Sequence, residues 1–155
     1  ERTYLNAGGL SPAPYPVLDA MEKRRMELQR CSETGHEHLE AAREPVASFF
    51  GARPEEICFQ RNATEGNSTV ASGLELGRGD EVIFESHAHP GGSIPWMNRQ
   101  KQDGVRVKVF TPDPERPGVT LQRIEDLITP QTRAVQVSHV TAPTGIRFPV
   151  GRIAE

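Results

Sequence analysis

The segment formed by residues 85–96, ESHAHPGGSIPW, holds the side chains of this sequence that are best suited to chemistry. His87 and His89 flank one alanine, and a proline, a glycine pair and the sole tryptophan follow. An imidazole can bind a metal, transfer a proton, or lie as a flat platform against an aromatic ligand. An ordinary loop is the fourth interpretation. Because the segment follows EVIF, a run typical of a buried strand, we expect it at the carboxyl end of that strand.

The neighbouring residues argue against one of these four interpretations and favour another. A metal site is disfavoured because neither a cysteine nor a third histidine lies near the pair, so we predict no metal. Gly91 and Gly92 favour the platform, since glycine lets a ligand or another backbone approach closely. A catalytic base and an ordinary loop stay open. Trp96 is predicted to pack in the core, as large aromatic side chains usually do.

A second candidate site is the segment FQRNATEGN, residues 59–67, where a predicted strand leads into a predicted helix. The first N–H groups of a helix have no internal partner and lie at its positive end, so they favour a phosphate. We expect the amides of Ala63, Thr64 and Glu65 and the Thr64 hydroxyl to donate hydrogen bonds to this phosphate. Thr64 is predicted to be the N-cap. A capped helix without a ligand is the alternative. A third loop, residues 138–149, does not by itself indicate a function.

Composition excludes several functional classes. The net charge is −3 and the basic residues are dispersed, which argues against nucleic-acid binding. No apolar run approaches the ~20 residues that span a membrane. Cys31 and Cys58 form no disulfide or zinc pattern, and Cys58 is predicted to be buried. We expect a cytoplasmic protein, with export after loss of a leader as the alternative because the chain begins at Glu1 without methionine.

The order of predicted elements indicates an α/β protein. Residues 1–16 form an irregular arm, a helix starts near Pro16, and a second ends at Gly51. From residue 57 strands and helices alternate, which predicts a three-layer α-β-α arrangement with a mainly parallel sheet. The chain ends in what is expected to be the first turn of a helix, so we expect a longer parent polypeptide. The predicted strands are 57–60, 81–86, 105–110 and 134–140, and the later helices are 64–76, 92–102 and 121–128.

Four motifs in this order resemble the class V aminotransferases: YLNAGG, RNATEGN, GDEVIF leading to HAHPGGSIPW, and VSHVTAPTGIRFPVGRIAE. These are fold-type I enzymes that use pyridoxal 5′-phosphate (PLP). Within them the sequence is most similar to the isopenicillin-N-epimerase-like and cysteine desulfurase/selenocysteine lyase branch. The resemblance covers essentially the whole chain. It implies that residues 17–155 are the first part of the PLP-binding large domain.

The resemblance also implies roles for particular residues. The ATE turn is similar to the family's phosphate-binding turn, so Ala63 and Thr64 would hold the PLP phosphate. Desulfurases place a histidine against the pyridine ring, and matching the Pro-Trp pair of that segment to Pro95 and Trp96 assigns this role to His89. His87 is then expected to be a loop or supporting histidine.

One position departs from the desulfurase pattern. Desulfurases carry an asparagine beside the cofactor O3′ atom, and this sequence has Ala142 there. A methyl group supplies no hydrogen bond, so Thr141 or Thr144 is expected to substitute. The N-terminal arm resembles the segment that lines the substrate pocket. Its substrate-side candidates are Asn6, Ala7 and Gly8.

A PLP enzyme also needs a Schiff-base lysine and an acidic partner for the ring nitrogen. Lys23, Lys101 and Lys108 are the chain's lysines, and all are predicted on helix surfaces or an exposed strand face. We therefore expect the lysine and aspartate beyond Glu155, and no catalysis by this chain alone. The parent is expected to be a homodimer that performs transamination, epimerisation or C–S/C–Se lyase chemistry on an amino acid. The alternatives are a non-catalytic phosphate- or nucleotide-binding module and half of a split enzyme.

Overall fold

The computed structural model describes residues 3–5 and 7–155, with only the backbone of Glu37. The chain divides into two compact units, Glu1–Phe59 and Gln60–Glu155, which are described separately. The first unit contains two α-helices and two short 3₁₀ turns. Its elements are α1 (Tyr15–Cys31), His36–His38, α2 (Leu39–Phe50) and Pro54–Glu56.

Both helices of the first unit lie close to their predicted positions. Helix α1 begins at Tyr15, one residue before the predicted start. Helix α2 ends at Phe50, and the predicted Gly51 caps it with a φ of 67°, the left-handed conformation that glycine adopts without strain. The helix runs through Pro45. Val17 and Leu18 of α1 are exposed, so its apolar face forms no core within this unit.

The segment 57–60 contradicts two predictions. It has no regular secondary structure, and Cys58 is exposed rather than buried. The strands of the described residues pair only with one another, so no ladder reaches this segment. A short apolar run becomes a strand only where a neighbouring strand satisfies its backbone, and none does so here.

The second unit is a three-stranded parallel sheet with helices in the connections, as the alternating pattern predicts. The strands lie in the order β2-β1-β3, and both pairings of β1 are parallel. No helix of residues 3–5 and 7–155 is both long and apolar enough to cross a membrane. The elements are α3 (Ala63–Gly73), β1 (Glu81–Glu85), α4 (Pro90–Asp103), β2 (Arg106–Phe110), α5 (Pro117–Glu125), β3 (Thr132–Gln136) and α6 (Val150–Ala154).

The central strand β1 is buried along its whole length and separates two apolar clusters. Side chains alternate between the faces of a strand, so Val82 and Phe84 point to one side and Ile83 to the other. Val82 and Phe84 pack with Trp96, which is 2% exposed and occupies the core as predicted. Burial of each such side chain contributes roughly 1.5–3 kcal/mol. Ile83 packs on the opposite face with Phe110, Ile124 and Phe148.

Strand β2 differs from prediction in the placement of its lysine. Lys108 was expected on an exposed face, but its Nζ lies 2.7 Å from Glu81 Oε2 and donates to the Leu127 carbonyl at 2.9 Å. Val109, on the other face, is 49% exposed. Lys108 is therefore half-buried because it pairs with the buried carboxylate of the neighbouring strand. Arg106 on the same face is exposed, and Val105 on the other face is buried.

Candidate active site

Helix α3 precedes β1 and the histidine loop along the chain, and Asn62 is its N-cap. The Asn62 Oδ1 atom accepts a hydrogen bond from the Glu65 N–H at 2.9 Å. Asparagine is among the preferred N-cap residues, so the prediction of Thr64 as N-cap is wrong. An asparagine followed three residues later by glutamate is a helix-start pattern that would have indicated this cap.

This cap decides which amides remain for a ligand. No described residue accepts a hydrogen bond from the N–H of Ala63 or Thr64, whereas the Glu65 N–H is already bound to Asn62. The Glu65 carboxylate accepts from the Arg61 N–H at 2.6 Å and from its guanidinium at 2.8 Å. The Arg61 side chain holds the pKa of Glu65 below its usual range. The amides of Ala63 and Thr64 are therefore available to an anion, and the predicted part of Glu65 is not supported by this geometry.

The glycine pair at the start of α4 brings that helix against α3 and β3. A Cβ atom on Gly91 would lie 2.2 Å from Thr64 Oγ1, and one on Gly92 would lie 2.7 Å from Gln136 Nε2. Both glycines let neighbouring segments approach closely, since an added Cβ would have to displace the Thr64 side chain at Gly91 and the Gln136 amide at Gly92. Gln136 was not singled out from the sequence, yet its Oε1 also accepts from the Trp96 indole N–H at 2.6 Å.

His89 is the N-cap of α4, which begins at Pro90, two residues before the predicted start. Its Nδ1 accepts a hydrogen bond from the Gly91 N–H at 3.0 Å. An imidazole nitrogen that accepts carries no proton, so the neutral ring has its proton on Nε2. The cap fixes the plane of an exposed imidazole beside Gly91, which is also the residue that contacts Thr64.

The loop after β3 completes one cavity with the histidine loop. Thr141 is buried, and its Oγ1 lies 2.9 Å from Thr144 Oγ1 and accepts from the Ile146 N–H at 2.8 Å. Ala142 is exposed and lies on the cavity wall with His89. The residues lining this cavity are Ser86, His87, Ala88, His89, Pro90, Ala142 and Pro143.

Glu85 links these two loops, and the sequence alone did not single it out. It is fully buried at the carboxyl end of β1. Its Oε1 accepts from the Ser138 N–H at 3.1 Å and from the Ser138 hydroxyl. The link anchors the start of the loop that carries Thr141. No group of three or more metal-binding side chains occurs in the described part of the chain.

The substrate-side candidates fall in the other unit. Ala7 and Gly8 are exposed in a turn of the N-terminal arm, and Asn6 lies outside the described residues.

The family model for class V aminotransferases matches residues 3–155. The chain belongs to the class V aminotransferase family. It is 34% identical to a probable cysteine desulfurase of Methanothermobacter thermautotrophicus, with 99% of this chain and 41% of the relative covered. It is 30% identical to the isopenicillin N epimerase of Amycolatopsis lactamdurans, with 99% and 41% covered. This chain spans about two fifths of the length of these relatives.

Solved structures agree with the assignment of the fold. The cystine C–S lyase C-DES in complex with cysteine persulfide matches with a TM-score of 0.84 at 25% identity, covering 97% of this chain and 42% of that one. A mutant of C-DES with glycine covalently linked to its PLP cofactor matches with a TM-score of 0.83, also at 25% identity, covering 98% and 42%. The resemblance to PLP enzymes of fold type I is thus confirmed. A stand-alone phosphate- or nucleotide-binding module is not favoured.

The family uses PLP, and the site has groups that suit it. The unpaired amides of Ala63 and Thr64 suit a phosphate at the positive end of α3. The oriented imidazole of His89 suits a flat aromatic ring, and the apolar wall formed by Ala88, Pro90 and Ala142 suits the ring's faces and edge. These residues therefore fit the cofactor.

Proposed function

We propose that the protein containing this chain is a PLP-dependent enzyme that acts on an amino acid. The observation that carries the proposal is the position of Gly91. A Cβ at this residue would lie 2.2 Å from Thr64 Oγ1 and 3.2 Å from His89 Nδ1, so the anion-binding helix start and the oriented imidazole meet there. A phosphate and an aromatic ring on one small molecule match this pairing.

The start of α3 would hold the phosphate. Two N–H groups and the Thr64 hydroxyl are the donors, and the helix dipole adds a favourable interaction of about 0.3–1 kcal/mol with a negative charge. The Ala63 side chain is small and sits at the first helical position, so it leaves the backbone accessible. Glu65 supports this turn through Arg61 and Asn62 rather than by binding the phosphate itself.

His89 would lie against the ring, and the loop with Thr141 and Ala142 would lie at the ring's edge. When bound, PLP supplies an electron sink for a carbanion at the substrate Cα. The protein's part in this region is to fix the ring. The α4 cap holds the imidazole plane, and the Glu85–Ser138 link anchors the loop after β3. The N-terminal arm, with Asn6, Ala7 and Gly8, is proposed to lie on the substrate side.

We propose epimerisation or carbon–sulfur bond cleavage as the parent's reaction, because the relatives and structural neighbours carry these activities in their names. Transamination and C–Se lyase chemistry are the remaining members of the predicted set. The groups that select among them are expected in the parent protein outside these 155 residues, together with the Schiff-base lysine and the acidic partner. This chain by itself is accordingly proposed to be catalytically silent.

The remaining features of the proposal follow from the family. Residues 17–155 would form the first part of the large domain, after the arm of residues 1–16. We propose a homodimer with its active site at the subunit interface and a cytoplasmic location. The size of the purified full-length protein by light scattering tests the dimer.

The test of the cofactor is the absorption spectrum of the full-length protein mixed with PLP. We expect the band of PLP bound to a lysine, and Thr64→Val and His89→Ala variants that bind PLP at least several-fold more weakly. Thr69→Val is a matched control, because its hydroxyl binds the Glu65 carbonyl within the same helix. Absence of the band in the unaltered protein would rule out the proposed function.

A further inference from the structure

The cavity between the loops after β1 and β3 has two imidazoles on its wall, and the proposed function uses only one of them. Ala88, Pro90, Ala142 and Pro143 make most of the wall apolar. The polar side chains on the wall are Ser86, His87 and His89. A cavity with apolar walls and few polar groups gains specificity from those groups, so the role of each matters.

His87 is held by a chain of hydroxyl groups. Its Nδ1 lies 3.1 Å from Thr144 Oγ1, which lies 2.9 Å from Thr141 Oγ1. Thr141 is 2% exposed, and its Oγ1 also accepts from the Ile146 N–H at 2.8 Å. The buried end of the chain is therefore fixed by the backbone, and the chain fixes the orientation of the half-buried imidazole.

The second ring nitrogen of His87 is left for a ligand. Among the residues that the structure describes, none bonds to His87 Nε2. The Ser86 hydroxyl is bound to Thr111 Oγ1 at 3.3 Å, and His89 Nδ1 is occupied by the α4 cap. His87, like His89, is thus oriented through its Nδ1 and free at its Nε2, and the proposed function uses only the ring face of His89.

This arrangement also decides how the threonines act. Thr141 and Thr144 are absent from the cavity lining, whereas His87 is part of it. Either threonine was expected to replace directly the hydrogen bond that Ala142 cannot make. The Thr144 hydroxyl instead lies within hydrogen-bond distance of Thr141 and of His87, so both threonines are linked to the cavity wall through the imidazole.

We propose that His87 is a second ligand-binding residue of this cavity, and that its Nε2 hydrogen-bonds a polar atom at the edge of the planar ligand that His89 covers. Thr144 and Thr141 are positioning residues for His87. The inference rests on the proposed function, since it concerns the same cofactor. It adds a hydrogen-bonding group at the ring edge where the sequence has the Ala142 methyl group.

The experiment titrates full-length protein with PLP and records the dissociation constant and the absorption maximum. His87→Ala is expected to raise the dissociation constant about three- to tenfold, the effect of one lost hydrogen bond, and to move the absorption maximum. His36→Ala is the control, because His36 is an exposed histidine of the other unit. Wild-type protein without a PLP band rejects the proposed function itself, before the variants are compared.

Three further variants separate positioning from a structural effect. Thr144→Val should reproduce the spectral change of His87→Ala, and Thr144→Ser, which keeps the hydroxyl, should restore the wild-type spectrum. Ala142→Asn in the His87→Ala background should recover the affinity by supplying an amide at the same edge. The inference is overturned if His89→Ala weakens PLP binding while His87→Ala and Thr144→Val match wild type in both affinity and spectrum.

Discussion

Single residues at the start of α4 determine how closely the two parts of the candidate site approach each other. Gly91 lies in α4 and has no positive φ, so its backbone conformation does not require glycine. The constraint is steric, because a Cβ there would meet Thr64 Oγ1 at 2.2 Å and Thr64 Cβ at 3.1 Å. A side chain at this position must therefore displace Thr64 or the start of the helix.

Gly91→Ala is expected to destabilise the full-length protein by about 1–3 kcal/mol, as overpacking does in a well-packed region, and to weaken PLP binding. Urea denaturation and PLP titration measure the two effects. Gly118→Ala is the matched control, since Gly118 lies in α5 with nothing within 4 Å of the added Cβ. Adding Thr64→Ala to Gly91→Ala should recover part of the stability because it removes the closest atom. A strictly additive double variant would contradict the steric explanation.

At the scale of elements, β1 is a buried strand with a carboxylate at each end. Glu81 is 4% exposed, and its Oε2 accepts hydrogen bonds from the Lys108 ammonium group and the Thr129 hydroxyl. The bond from Lys108, with that from Thr129, lowers the pKa of Glu81 below its usual range. Glu85 at the other end is bound by Ser138. Besides the strand pairing, side-chain hydrogen bonds thus link β1 to β2 through Glu81 and to the loop after β3 through Glu85.

The lowered pKa of Glu81 predicts a pH dependence of stability. A carboxyl group whose pKa is depressed by folding stabilises the native state fully above its unfolded pKa, about 4.3, and loses this contribution as the pH falls through the lower folded value. The free energy of unfolding of the wild type should therefore decline more steeply below about pH 5 than that of Glu81→Gln.

Urea denaturation of the full-length protein at pH 7 and at about pH 4 measures this difference. Glu125→Gln, a change at an exposed position of α5, is the control and should keep the wild-type dependence. Lys108→Met should lower stability at neutral pH, where it leaves the buried carboxylate charged and without its cation. Parallel pH profiles for wild type and Glu81→Gln would show that this pair does not contribute as proposed.

At the scale of the whole molecule, neither lysine of the second unit lines the cavity of the candidate site. Lys23 lies on α1 and Lys101 on α4, both exposed. Lys108 is engaged with Glu81 at the amino end of β1, whereas the site lies at the carboxyl ends of the strands. The chain spans about two fifths of its relatives' length, and we propose that the Schiff-base lysine lies elsewhere in the parent protein.

Borohydride reduction of the full-length protein with PLP, followed by peptide mass analysis, tests this placement. We expect the modified lysine in a peptide outside residues 1–155, and loss of the PLP absorption band when that lysine is replaced by alanine. Lys101→Ala is the control and should keep the band, since Lys101 is exposed on α4. Modification of Lys23, Lys101 or Lys108 as the main site would overturn the proposal.

Local patterns predicted most elements of the second unit but not their contacts. EVIF reads as a buried strand because its apolar run is strong, and α3 to α5 lie within a few residues of their predicted spans. The segment 57–60 has a similar apolar composition but no strand beside it, so the same reasoning fails there. The Asn62 cap was missed because Thr64, also a favoured cap type, lies two residues later.

The candidate site shows the same division. The sequence pointed to His89 and to the amides of Ala63 and Thr64, since both depend on strand ends and helix starts that local patterns reveal. It did not reveal that they meet at Gly91 or that Thr144 reaches His87, because both contacts are tertiary. His87 and Thr144 are 57 positions apart and meet only when β1 and β3 pair.

The sequence by itself determined the α/β class, the family and the loops that carry the candidate site, because short-range periodicity and ordered motifs are written along the chain. Tertiary structure decided the rest. In the fold, Lys108 pairs with the buried Glu81 carboxylate and His87 lies within hydrogen-bond distance of Thr144. Gly91 and Gly92 let neighbouring segments pack closely. The histidine segment therefore contributes one imidazole oriented by a helix cap and a second oriented by a neighbouring loop. Only the pairing of parallel strands brings those two supports together.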